Sequence, residues 1–413
     1  AKCPDLHTVV LAGPLAGLGP VEGMRLLGWQ AAMQGSRPRA PHAVIDADMA
    51  AILYTSGSTG RPKGVVLSHR NLVAGALSVS AYLHNVPEDR ILCVLPLSFD
   101  YGLSQLTTAF AVGACAVLQN HLLVRDIIET VARERITGLA AVPPLWIQLA
   151  ALEWSNARHL RYITNSGGVM QRTTLQALQA ALPRTRVYLM YGLTEAFRST
   201  YLPPEELGRR PDSIGKAIPN AEILVLRPDG SRCAPDEPGE LVHRGALVSL
   251  GYWNDPARTA QRFRPLRDPS GGLPWPEMAV WSGDTVRVDT EGFLYFIGRS
   301  DDMIKTSGYR VSPSEVEEVV YDTGLVAEAA AIGMPHPLLG QSIALVACTK
   351  AGIDTSAAEL LAACRRTLPS YMVPLQIELH DEPLPRNPNG KLDRVRIASE
   401  LAAGERAAEQ VAS

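Results

Sequence analysis

The chain of 413 residues is close to neutral, with 39 Lys and Arg against 42 Asp and Glu and a net charge of −3 at pH 7. This balance gives no field for nucleic acid or an anionic membrane, and the 46% hydrophobic content excludes wholesale disorder. The longest apolar run, residues 109–118, is too short to span a bilayer, and the first residues lack the pattern of a secretory signal. We therefore expect a cytoplasmic enzyme of about two or three domains, with no nucleic-acid partner and no membrane span.

Six cysteines are scattered along the chain without a CxxC pair: Cys3, Cys93, Cys115, Cys233, Cys348 and Cys364. Such spacing favours small buried hydrophobic residues in a reducing compartment over disulfides or a metal site.

In roughly the first half of the chain, short apolar runs alternate with helix-like periods. Strands are predicted near residues 50–57, 90–98, 113–120, 137–144, 161–168 and 186–192, with helices such as 71–85 and 124–136 between them. Apolar strands separated by helices indicate a parallel α/β sheet with helices on both faces. Several of the strands end in Gly, Ser or Thr clusters, and ligands bind beyond the carboxyl ends of such strands.

After about residue 205, proline and glycine turns become frequent and predict a β-rich subdomain with antiparallel strands at 221–227, 239–245, 285–289 and 293–299. The pattern changes again at Ser312, where Ser314 ahead of Glu317 predicts a helix start. Strands at 328–335 and 342–350, a helix at 356–368 and a terminal helix at 400–413 then indicate a small α/β domain. We expect an N-terminal core at 1–297, a linker at 298–302 and a small domain at 303–413.

The strongest motif is TSGSTGRPKG, residues 55–64, directly after a predicted strand. Backbone N–H groups of a loop rich in glycine and hydroxyl residues converge on phosphate oxygens, and Lys63 adds a cation. It is not a Walker A loop, because Pro62 precedes Lys63 and Gly64 follows it. A plain Ser/Gly linker is the alternative interpretation.

This motif resembles the phosphate loop of the AMP-forming adenylating enzymes, which include acyl-CoA synthetases, peptide-synthetase adenylation domains and luciferases. Three further segments resemble that family in the expected order: YGLTE at 191–195, WSGDTVRVDTEGFLYFIGRSDDMIKTSGYRVSPSEVE at 281–317, and NPNGKLDR at 387–394. The run at 191–206 is most similar to bacterial acyl-CoA ligases encoded with exosortase systems. The resemblance implies an α/β fold with a large N-terminal domain of parallel sheet layers and a β-rich subdomain, followed by a small, mobile C-terminal α/β domain.

The implied activity is an ATP- and Mg²⁺-dependent carboxylic acid ligase. It makes an acyl-adenylate and transfers the acyl group to the thiol of CoA or a carrier-protein phosphopantetheine, which divides one hard step into two. In this scheme Lys391 bridges the carboxylate and the α-phosphate, Thr194 binds the α-phosphate, and Glu195 holds Mg²⁺. Asp284 accepts the ribose hydroxyls, and Arg299 donates to ribose or phosphate. The implied ATP-binding residues are Thr55, Ser56, Gly57, Ser58, Thr59, Gly60, Lys63, Gly167, Gly168, Tyr191, Gly192, Thr194, Asp284 and Arg299.

Residues 165–168 and Tyr191 are expected to line the adenine slot, although a plain tight turn is the alternative for 166–168. The implied acyl pocket consists of Phe99, Asp100, Tyr101, Trp146, Ser166 and Met190. Asp100 resembles the aspartate that holds the substrate ammonium in amino-acid adenylation domains. It could equally cap the following helix or bind the backbone locally, so an amino-acid substrate loaded onto a carrier protein stays open.

Asp301 matches the position at which the family pivots its small domain, with Lys305 and Gly308 entering the thiol channel afterwards. The alternative for Asp301 is an exposed flexible linker.

Two features depart from the family. Its members usually carry roughly 100 further residues before this region, so we expect the amino-terminal part to be missing. His336 and Gln341 stand where aspartate and glutamate are common, which questions small-domain packing or carrier docking.

Two other functions remain open at this point. One is an enzyme that stops at the adenylate or passes it to oxygen or an amine. The other is a truncated, non-catalytic paralogue that binds nucleotide. The intact set Lys63, Glu195, Asp284, Arg299 and Lys391 argues against the second.

Overall fold

The structure is a computed structural model that describes residues 6–13, 23–34, 42–55, 62–120, 123–266, 276–299, 303–306, 309–387 and 391–412. The chain forms two compact units, residues 1–45 and residues 46–413. In the first unit, strands β1 (Thr8–Leu11) and β2 (Arg25–Gly28) pair in parallel, and helix α1 (Trp29–Gln34) follows directly.

The second unit opens with strands β3 (Met49–Thr55) and β4 (Lys63–Ser68), which form an antiparallel pair of their own. The predicted strand near residues 50–57 is confirmed, but its expected place in the parallel sheet is wrong. The reason lies in the antiparallel register of β3 and β4, in which Thr55 and Lys63 are direct partners, so β3 pairs with the strand that follows it along the chain. Both ends of the phosphate-loop motif are therefore fixed by one β-ladder.

The predicted parallel α/β core is confirmed. Parallel strands lie in the order β6-β5-β7-β8-β9, and each apolar run provides one strand. The elements are α2 (His69–Leu83), β5 (Arg90–Cys93), α3 (Asp100–Val112), β6 (Cys115–Leu118), α4 (Arg125–Arg133), β7 (Gly138–Ala141), α5 (Pro143–Ala150), β8 (Tyr162–Asn165), α6 (Arg172–Ala181) and β9 (Arg186–Tyr191).

A buried carboxylate joins the chain before β5 to the amino-terminal ends of its neighbours. Asp89 accepts hydrogen bonds from the Thr137 hydroxyl (2.7 Å), the Arg161 guanidinium and the Asn85 amide (3.0 Å). Although burial alone would raise the pKa of Asp89, these bonds hold it below its usual value. This end of the sheet is therefore rigid, while the carboxyl ends of the strands are left to build the site.

The predicted antiparallel strands are also present, but they extend the same sheet and do not form a separate layer. Strand β10 turns back beside β9 in antiparallel fashion, and the order continues through β11, β16, β15 and β13 to β12, giving a 12-stranded sheet that includes β14. The elements are β10 (Thr200–Leu202), β11 (Ser213–Ala217), β12 (Ala221–Leu226), β13 (Gly239–Gly245), α7 (Pro256–Arg262), β14 (Phe263–Pro265), β15 (Met278–Val288) and β16 (Leu294–Arg299).

The small C-terminal domain has its own five-stranded sheet, with the order β18-β17-β20-β19 and β21 parallel to β20. Its two apolar clusters are centred on Leu345 and Val346, on opposite faces of β20. The elements are β17 (Ile304–Thr306), β18 (Tyr309–Val311), α8 (Pro313–Asp322), β19 (Val326–His336), β20 (Gly340–Thr349), α9 (Ala357–Thr367), β21 (Gln376–His380) and α10 (Arg394–Ala412). The expected large and small domains are thus confirmed, whereas the boundary at 298–302 stays a prediction, because residues 300–302 lie outside the described residues.

The predicted start of helix α8 is wrong by two residues. The helix is preceded by Ser312 and begins at Pro313, so Ser314 lies inside it. Ser312 makes no side-chain cap because its hydroxyl donates to the carbonyl of Ile297, which connects this helix to β16. Glu317 instead binds Arg394 and the Ala331 N–H (2.7 Å), which joins α8 to the start of α10.

The two family departures in the small domain are accommodated by a hairpin. His336 and Gly340 are register partners, and the His336 ring accepts hydrogen bonds from the N–H groups of Leu338 and Leu339 (both 3.2 Å). The effect of these departures on small-domain packing or carrier docking stays a prediction.

Of the cysteines in the described residues, Cys93, Cys348 and Cys364 are buried and free as expected, but Cys115 is exposed and Cys233 half-buried. Among the described helices, none has the length and apolar character needed to cross a membrane.

Candidate active site

The phosphate-loop motif begins and ends on the β3–β4 pair, which places Lys63 at the mouth of a charged cleft. Its ammonium lies 5.1 Å from the centre of the Tyr252 ring. Burial lowers the pKa of Lys63, and the nearby guanidinium groups of Arg262, Arg299 and Arg258 lower it further, against the opposing charge of Glu195. The cleft is therefore strongly cationic at this end. The motif residues Ser56, Gly57, Ser58, Thr59 and Gly60 lie outside the described residues.

The YGLTE motif forms the sharp turn after β9. Gly192 packs so closely that an added Cβ would lie 3.3 Å from the Cα of Arg198, and Thr194 and Glu195 follow in a buried 3₁₀ turn. The Tyr252 hydroxyl donates to Glu195 Oε1 over 2.6 Å, and burial followed by the Glu195 charge raises the pKa of Tyr252. One oxygen of the carboxylate is thus held in place.

Tyr252 and Arg262 are site residues that the sequence analysis missed. The chain around Tyr252 pairs with β4, since the Trp253 N–H donates to Gly64 O over 2.7 Å. Helix α7 follows, capped by Asp255, and ends at Arg262, whose guanidinium would lie 2.7 Å from a Cβ added at Gly283. A signal was present in the Asp255-Pro256 helix start, but only the tertiary pairing brings these side chains to the motif.

Asp284 and Arg299 are direct register partners on the hairpin of β15 and β16. Asp284 is 7% exposed; its Oδ2 accepts a hydrogen bond from the Tyr191 hydroxyl, and its Oδ1 lies 3.8 Å from Arg299 Nε without a hydrogen-bond partner. Burial raises the pKa of Asp284, and Arg299 and Tyr191 act in the opposite direction. A buried acceptor is thus left for a ligand, which fits hydroxyl groups such as those of ribose.

Lys391 lies in a loop that closes on itself, since the Asn387 N–H donates to Lys391 O (2.8 Å) and the Lys391 N–H to Asn387 Oδ1 (3.1 Å). The residue as a whole is exposed, although protein groups surround its ammonium. Burial lowers the pKa of Lys391, whereas the charges of Asp100, Asp284 and Glu195 raise it. Charged groups from distant parts of the chain therefore face one ammonium.

The turn after β8 lies against this ammonium. Gly167 has φ +85°, and a Cβ added there would lie 3.9 Å from Lys391 Cε and 3.8 Å from the Phe99 ring. A Cβ added at Gly168 would lie 3.1 Å from Pro143, and the Asn165 amide donates to Gly168 O (3.0 Å). The segment is a tight turn beside the Lys391 side chain. This geometry is compatible with a lining role in the adenine slot and with a plain tight turn.

The expected acyl-pocket residues divide into two groups. Tyr101 and Met190 line a narrow cavity of about 20 Å³ between α3 and the sheet, and Phe99 packs edge-on near Tyr101 at its mouth (6.2 Å between ring centres). Ser166 is buried. Trp146 is fully buried, donates to Thr164 O (3.1 Å) and is not among the residues that line this cavity. Its surroundings favour core packing.

Asp100 is the first residue of α3 and does not cap the helix, because the residue before the helix is Phe99. Burial raises the pKa of Asp100, against the charges of Arg198 and Lys391 and a bond from the Tyr101 backbone. The local backbone contact considered above is therefore present, together with two cations.

The hinge and thiol-channel residues are only partly described. Lys305 lies on β17 opposite Arg310, while Asp301 and Gly308 lie outside the described residues.

Comparison with known proteins connects this geometry to a family. A sequence model described as AMP-binding enzyme matches residues 7–253, and one for the AMP-binding enzyme C-terminal domain matches residues 315–391. The chain is 34% identical over 352 residues to the 2-succinylbenzoate–CoA ligase of Geobacillus kaustophilus, covering 84% of this chain and 68% of that protein. It is 34% identical over 349 residues to the delta-poly-L-ornithine synthetase of Acinetobacter baumannii, covering 83% and 25%.

A long-chain-fatty-acid–CoA ligase of Salmonella typhimurium is 30% identical over 370 residues, covering 86% of this chain and 62% of that protein. Among solved structures, ATP-bound MatB from Rhodopseudomonas palustris superposes with a TM-score of 0.82 at 26% identity, covering 92% of this chain and 75% of that one. The O-succinylbenzoate coenzyme A synthetase of Bacillus subtilis with ATP and magnesium ion gives 0.79 at 28% identity, covering 90% and 75%. The chain spans between 25% and 68% of these curated relatives.

The fold, the motif positions and the family matches agree, and the chain belongs to the AMP-binding enzyme family of AMP-forming adenylating enzymes.

Proposed function

We propose that this protein is an ATP-dependent, AMP-forming acid–thiol ligase. The observation that carries the proposal is the convergence of Asp100, Glu195, Asp284 and Arg299 around the ammonium of Lys391. These residues come from the start of α3, the turn after β9 and the two strands of the β15–β16 hairpin, while Lys391 comes from the small domain, so the fold itself assembles the cleft. A non-catalytic paralogue would have no need to retain this arrangement.

The proposed reaction has two steps. A carboxylate oxygen attacks the α-phosphorus of ATP, an O–P bond forms, and the bond to the β-phosphate breaks with departure of pyrophosphate. A thiol sulfur then attacks the acyl carbon, a C–S bond forms, the thiol proton is lost, and AMP leaves. The first step brings two anions together, so cations placed in advance should supply much of the rate enhancement.

We assign the triphosphate to the cationic end of the cleft. Lys63 and Arg262 are positioned for the β- and γ-phosphates, in addition to the loop that begins at Thr55. Thr194 would bind the α-phosphate and Lys391 would bridge it to the carboxylate. The pKa of Lys391 is lowered by burial, but its carboxylate neighbours act to keep it charged.

We assign the nucleoside to the neighbouring surface around Asp284. Asp284 Oδ1 is the unpartnered acceptor that ribose hydroxyls would satisfy, with Arg299 beside it. The Tyr191 hydroxyl is already bound to Asp284, which fixes its ring beside Phe296 (6.3 Å between ring centres). The ring and the turn at Gly167 would then enclose the adenine.

A magnesium ion fits this site as a partner of the nucleotide. Glu195 offers a hard carboxylate ligand beside the phosphate end, and no cluster of three or more possible ligands occurs among the residues that the structure describes. Mg²⁺ commonly binds through one or two carboxylates together with substrate phosphates and water. When bound, it would neutralise charge that develops on the phosphate oxygens.

For the acceptor we propose the thiol of CoA or of a carrier-protein phosphopantetheine. The names of the relatives support both, since they include CoA ligases and subunits of linear gramicidin synthase. In the second step a pivot at Asp301 would withdraw Lys391 and admit the segment from Lys305 to Gly308. We further propose that the small domain begins at residue 303, after a hinge at 298–302.

The surroundings of Asp100 argue against an amino-acid substrate. Two cations, Arg198 and Lys391, already act on this buried carboxylate. A substrate ammonium would have to enter beside them, and like charges repel strongly in a buried site. We therefore favour a carboxylic acid without an α-ammonium.

Acid-dependent exchange of pyrophosphate into ATP tests the first step across fatty, aryl, dicarboxylic and amino acids. CoA, a holo-carrier protein and hydroxylamine, supplied in parallel, then identify the acceptor. Lys391→Gln provides the matched inactive variant. If no acid in the panel supports exchange by folded protein with Mg²⁺, the proposed function is wrong, and if only amino acids do, the substrate class is wrong.

A further inference from the structure

Arg198 is a buried cation that the ligase chemistry above does not use. It is 2% exposed, and its Nε and Nη2 atoms have no hydrogen-bond partner. Among the described residues, no carboxylate oxygen forms an ion pair with it within 4.0 Å. An unpaired guanidinium is costly to bury, because it loses its water without gaining a partner.

The backbone holds this side chain in place. The preceding residue, Phe197, is fully buried with φ 55°, a conformation that is strained for a residue with a side chain. Its ring fits against Gly75 of α2, where a Cβ would lie 2.5 Å from Phe197 Cδ1. The turn that carries Arg198 is thus fixed by packing.

The guanidinium faces the narrow cavity beside α3. It stacks over the Tyr101 ring at 4.5 Å, and Gln105 and Thr108 lie on the same face of the helix, four and seven residues further on. Gln105 Oε1 and Thr108 Oγ1 also lack hydrogen-bond partners. The cavity therefore holds unpartnered polar atoms on two of its walls, which indicates a place for a polar group.

Phe99 connects this cavity to the proposed reaction centre. A Cβ added at Gly167 would lie 3.8 Å from the Phe99 ring and 3.9 Å from Lys391 Cε, and the Phe99 ring lies edge-on to Tyr101, over which Arg198 stacks. Arg198 and Lys391 both act electrostatically on the Asp100 carboxylate. Burial raises the pKa of Asp100, which weakens its ability to neutralise Arg198. A short acid whose reacting carboxylate meets Lys391 would direct its other end toward Arg198.

Resting on the proposed ligase function, we infer that the activated acid is a short dicarboxylic acid whose second carboxylate is bound by Arg198. The Nε and Nη2 atoms form one edge of the guanidinium, and two parallel N–H groups match the two oxygens of a carboxylate. Gln105 and Thr108 would complete the polar end of the pocket. Arg198 is then a specificity-determining residue that contacts the substrate away from the reacting atoms.

The test compares acids of equal chain length in pyrophosphate exchange: succinate with butanoate, glutarate with pentanoate, and adipate with hexanoate. The wild-type protein should prefer at least one diacid in kcat/KM, and Arg198→Met should reduce the diacid-to-monoacid ratio by at least 100-fold. Arg198→Lys should restore part of that ratio, because it keeps the charge but not the paired donors. Arg158→Gln, at an exposed arginine, removes the same charge and should leave the ratio unchanged.

Thermal unfolding gives a second readout that needs no turnover. Without ligand, Arg198→Met should raise Tm, because an apolar side chain replaces an unpaired charge. The preferred diacid should raise the Tm of the wild type and not of Arg198→Met. A lower Tm in the variant together with an unchanged acid preference would assign Arg198 to structure and overturn the inference.

The failures are distinguishable. Exchange that favours monoacids, or is indifferent to Arg198, overturns this inference and leaves the ligase function intact. Exchange with no acid, while a diacid still raises Tm through Arg198, supports the carboxylate site and rejects the ligase function. If there is neither exchange nor a diacid-dependent rise in Tm, both the ligase function and the carboxylate site at Arg198 are rejected.

Discussion

Replacing Tyr252 with phenylalanine tests whether its hydroxyl orients the carboxylate at the centre of the phosphate site. The hydroxyl donates to Glu195 Oε1 over 2.6 Å, and both residues are buried. A hydrogen bond to a charged group contributes about 1.5–3 kcal/mol, so Tyr252→Phe should lower the free energy of unfolding by roughly that amount.

The same change should weaken the use of Mg²⁺. Groups that orient a metal ligand typically contribute about 10–100-fold to metal affinity or activity, which corresponds to about 1.4–2.8 kcal/mol. In acid-dependent pyrophosphate exchange, the Mg²⁺ concentration for half-maximal rate should therefore rise by about tenfold or more. Exchange at saturating Mg²⁺ should recover most of the wild-type rate.

Tyr295→Phe is the matched control, because the Tyr295 hydroxyl also donates to a carboxylate, Asp289 Oδ2, at 3.1 Å. Asp289 keeps two backbone donors, and the pair lies on the turn of the β15–β16 hairpin. The control should lose a little stability and show no change in Mg²⁺ dependence. If both variants lose stability alike and the Mg²⁺ dependence of Tyr252→Phe stays that of the wild type, the orienting role is refuted.

Three further outcomes follow from the structure. Lys391→Gln should reduce exchange by about 10²–10³-fold while Tm, measured by thermal unfolding, stays within about 1 °C, because the residue as a whole is exposed. Asp89→Ala should remove about 3 kcal/mol of stability in urea unfolding without a change in the slope, since Thr137, Asn85 and Arg161 lose their shared buried acceptor; an unchanged midpoint would contradict this. Burial holds the pKa of His243 at about 3 against 6.5 in the unfolded chain, so only the unfolded chain binds a proton between these values. The free energy of unfolding should therefore fall as pH is lowered below about 6.5, by up to about 1.4 kcal/mol per pH unit. In His243→Gln, the plot of unfolding free energy against pH should be less steep by that amount. Parallel plots for the variant and the wild type would contradict this.

The sequence predicts which segments are strands more reliably than how they pair. The apolar runs of β5 to β9 are bounded by helices, and that order requires parallel crossovers. The run of β3 looks the same along the chain, yet it pairs in antiparallel register with β4, the next strand of the sequence. Likewise, nothing local indicates that β10 would turn back beside β9 and continue the sheet.

The site shows the same division between local and tertiary information. Asp284 and Arg299 lie on the two strands of one predictable hairpin, but their direct pairing depends on a bulge between Thr285 and Val286 that shifts the register by one residue. Tyr252 reaches Glu195 only because its segment pairs with β4, about 190 residues earlier in the chain. Trp146 shows the limit of local information in another way. An apolar aromatic residue gives the same sequence pattern whether its side chain lines a pocket or fills a core, and Trp146 is fully buried.

Unsatisfied buried polar atoms provide information about ligand sites that sequence motifs do not carry. Among the described residues, most such atoms lie at the cleft or its cavity, on Gln105, Thr108, Asn165, Arg198 and Asp284. Each costs about 1–3 kcal/mol, a large share of the roughly 5–15 kcal/mol that keeps a domain folded. Such a cost is tolerated where a ligand later provides the missing partner. Asp284 lies in a motif shared across the family, and Arg198 lies in the run at 191–206 that resembles one subgroup of it. The same physical signature marks both residues, and at Arg198 it indicates the part of the site that we propose selects the acid.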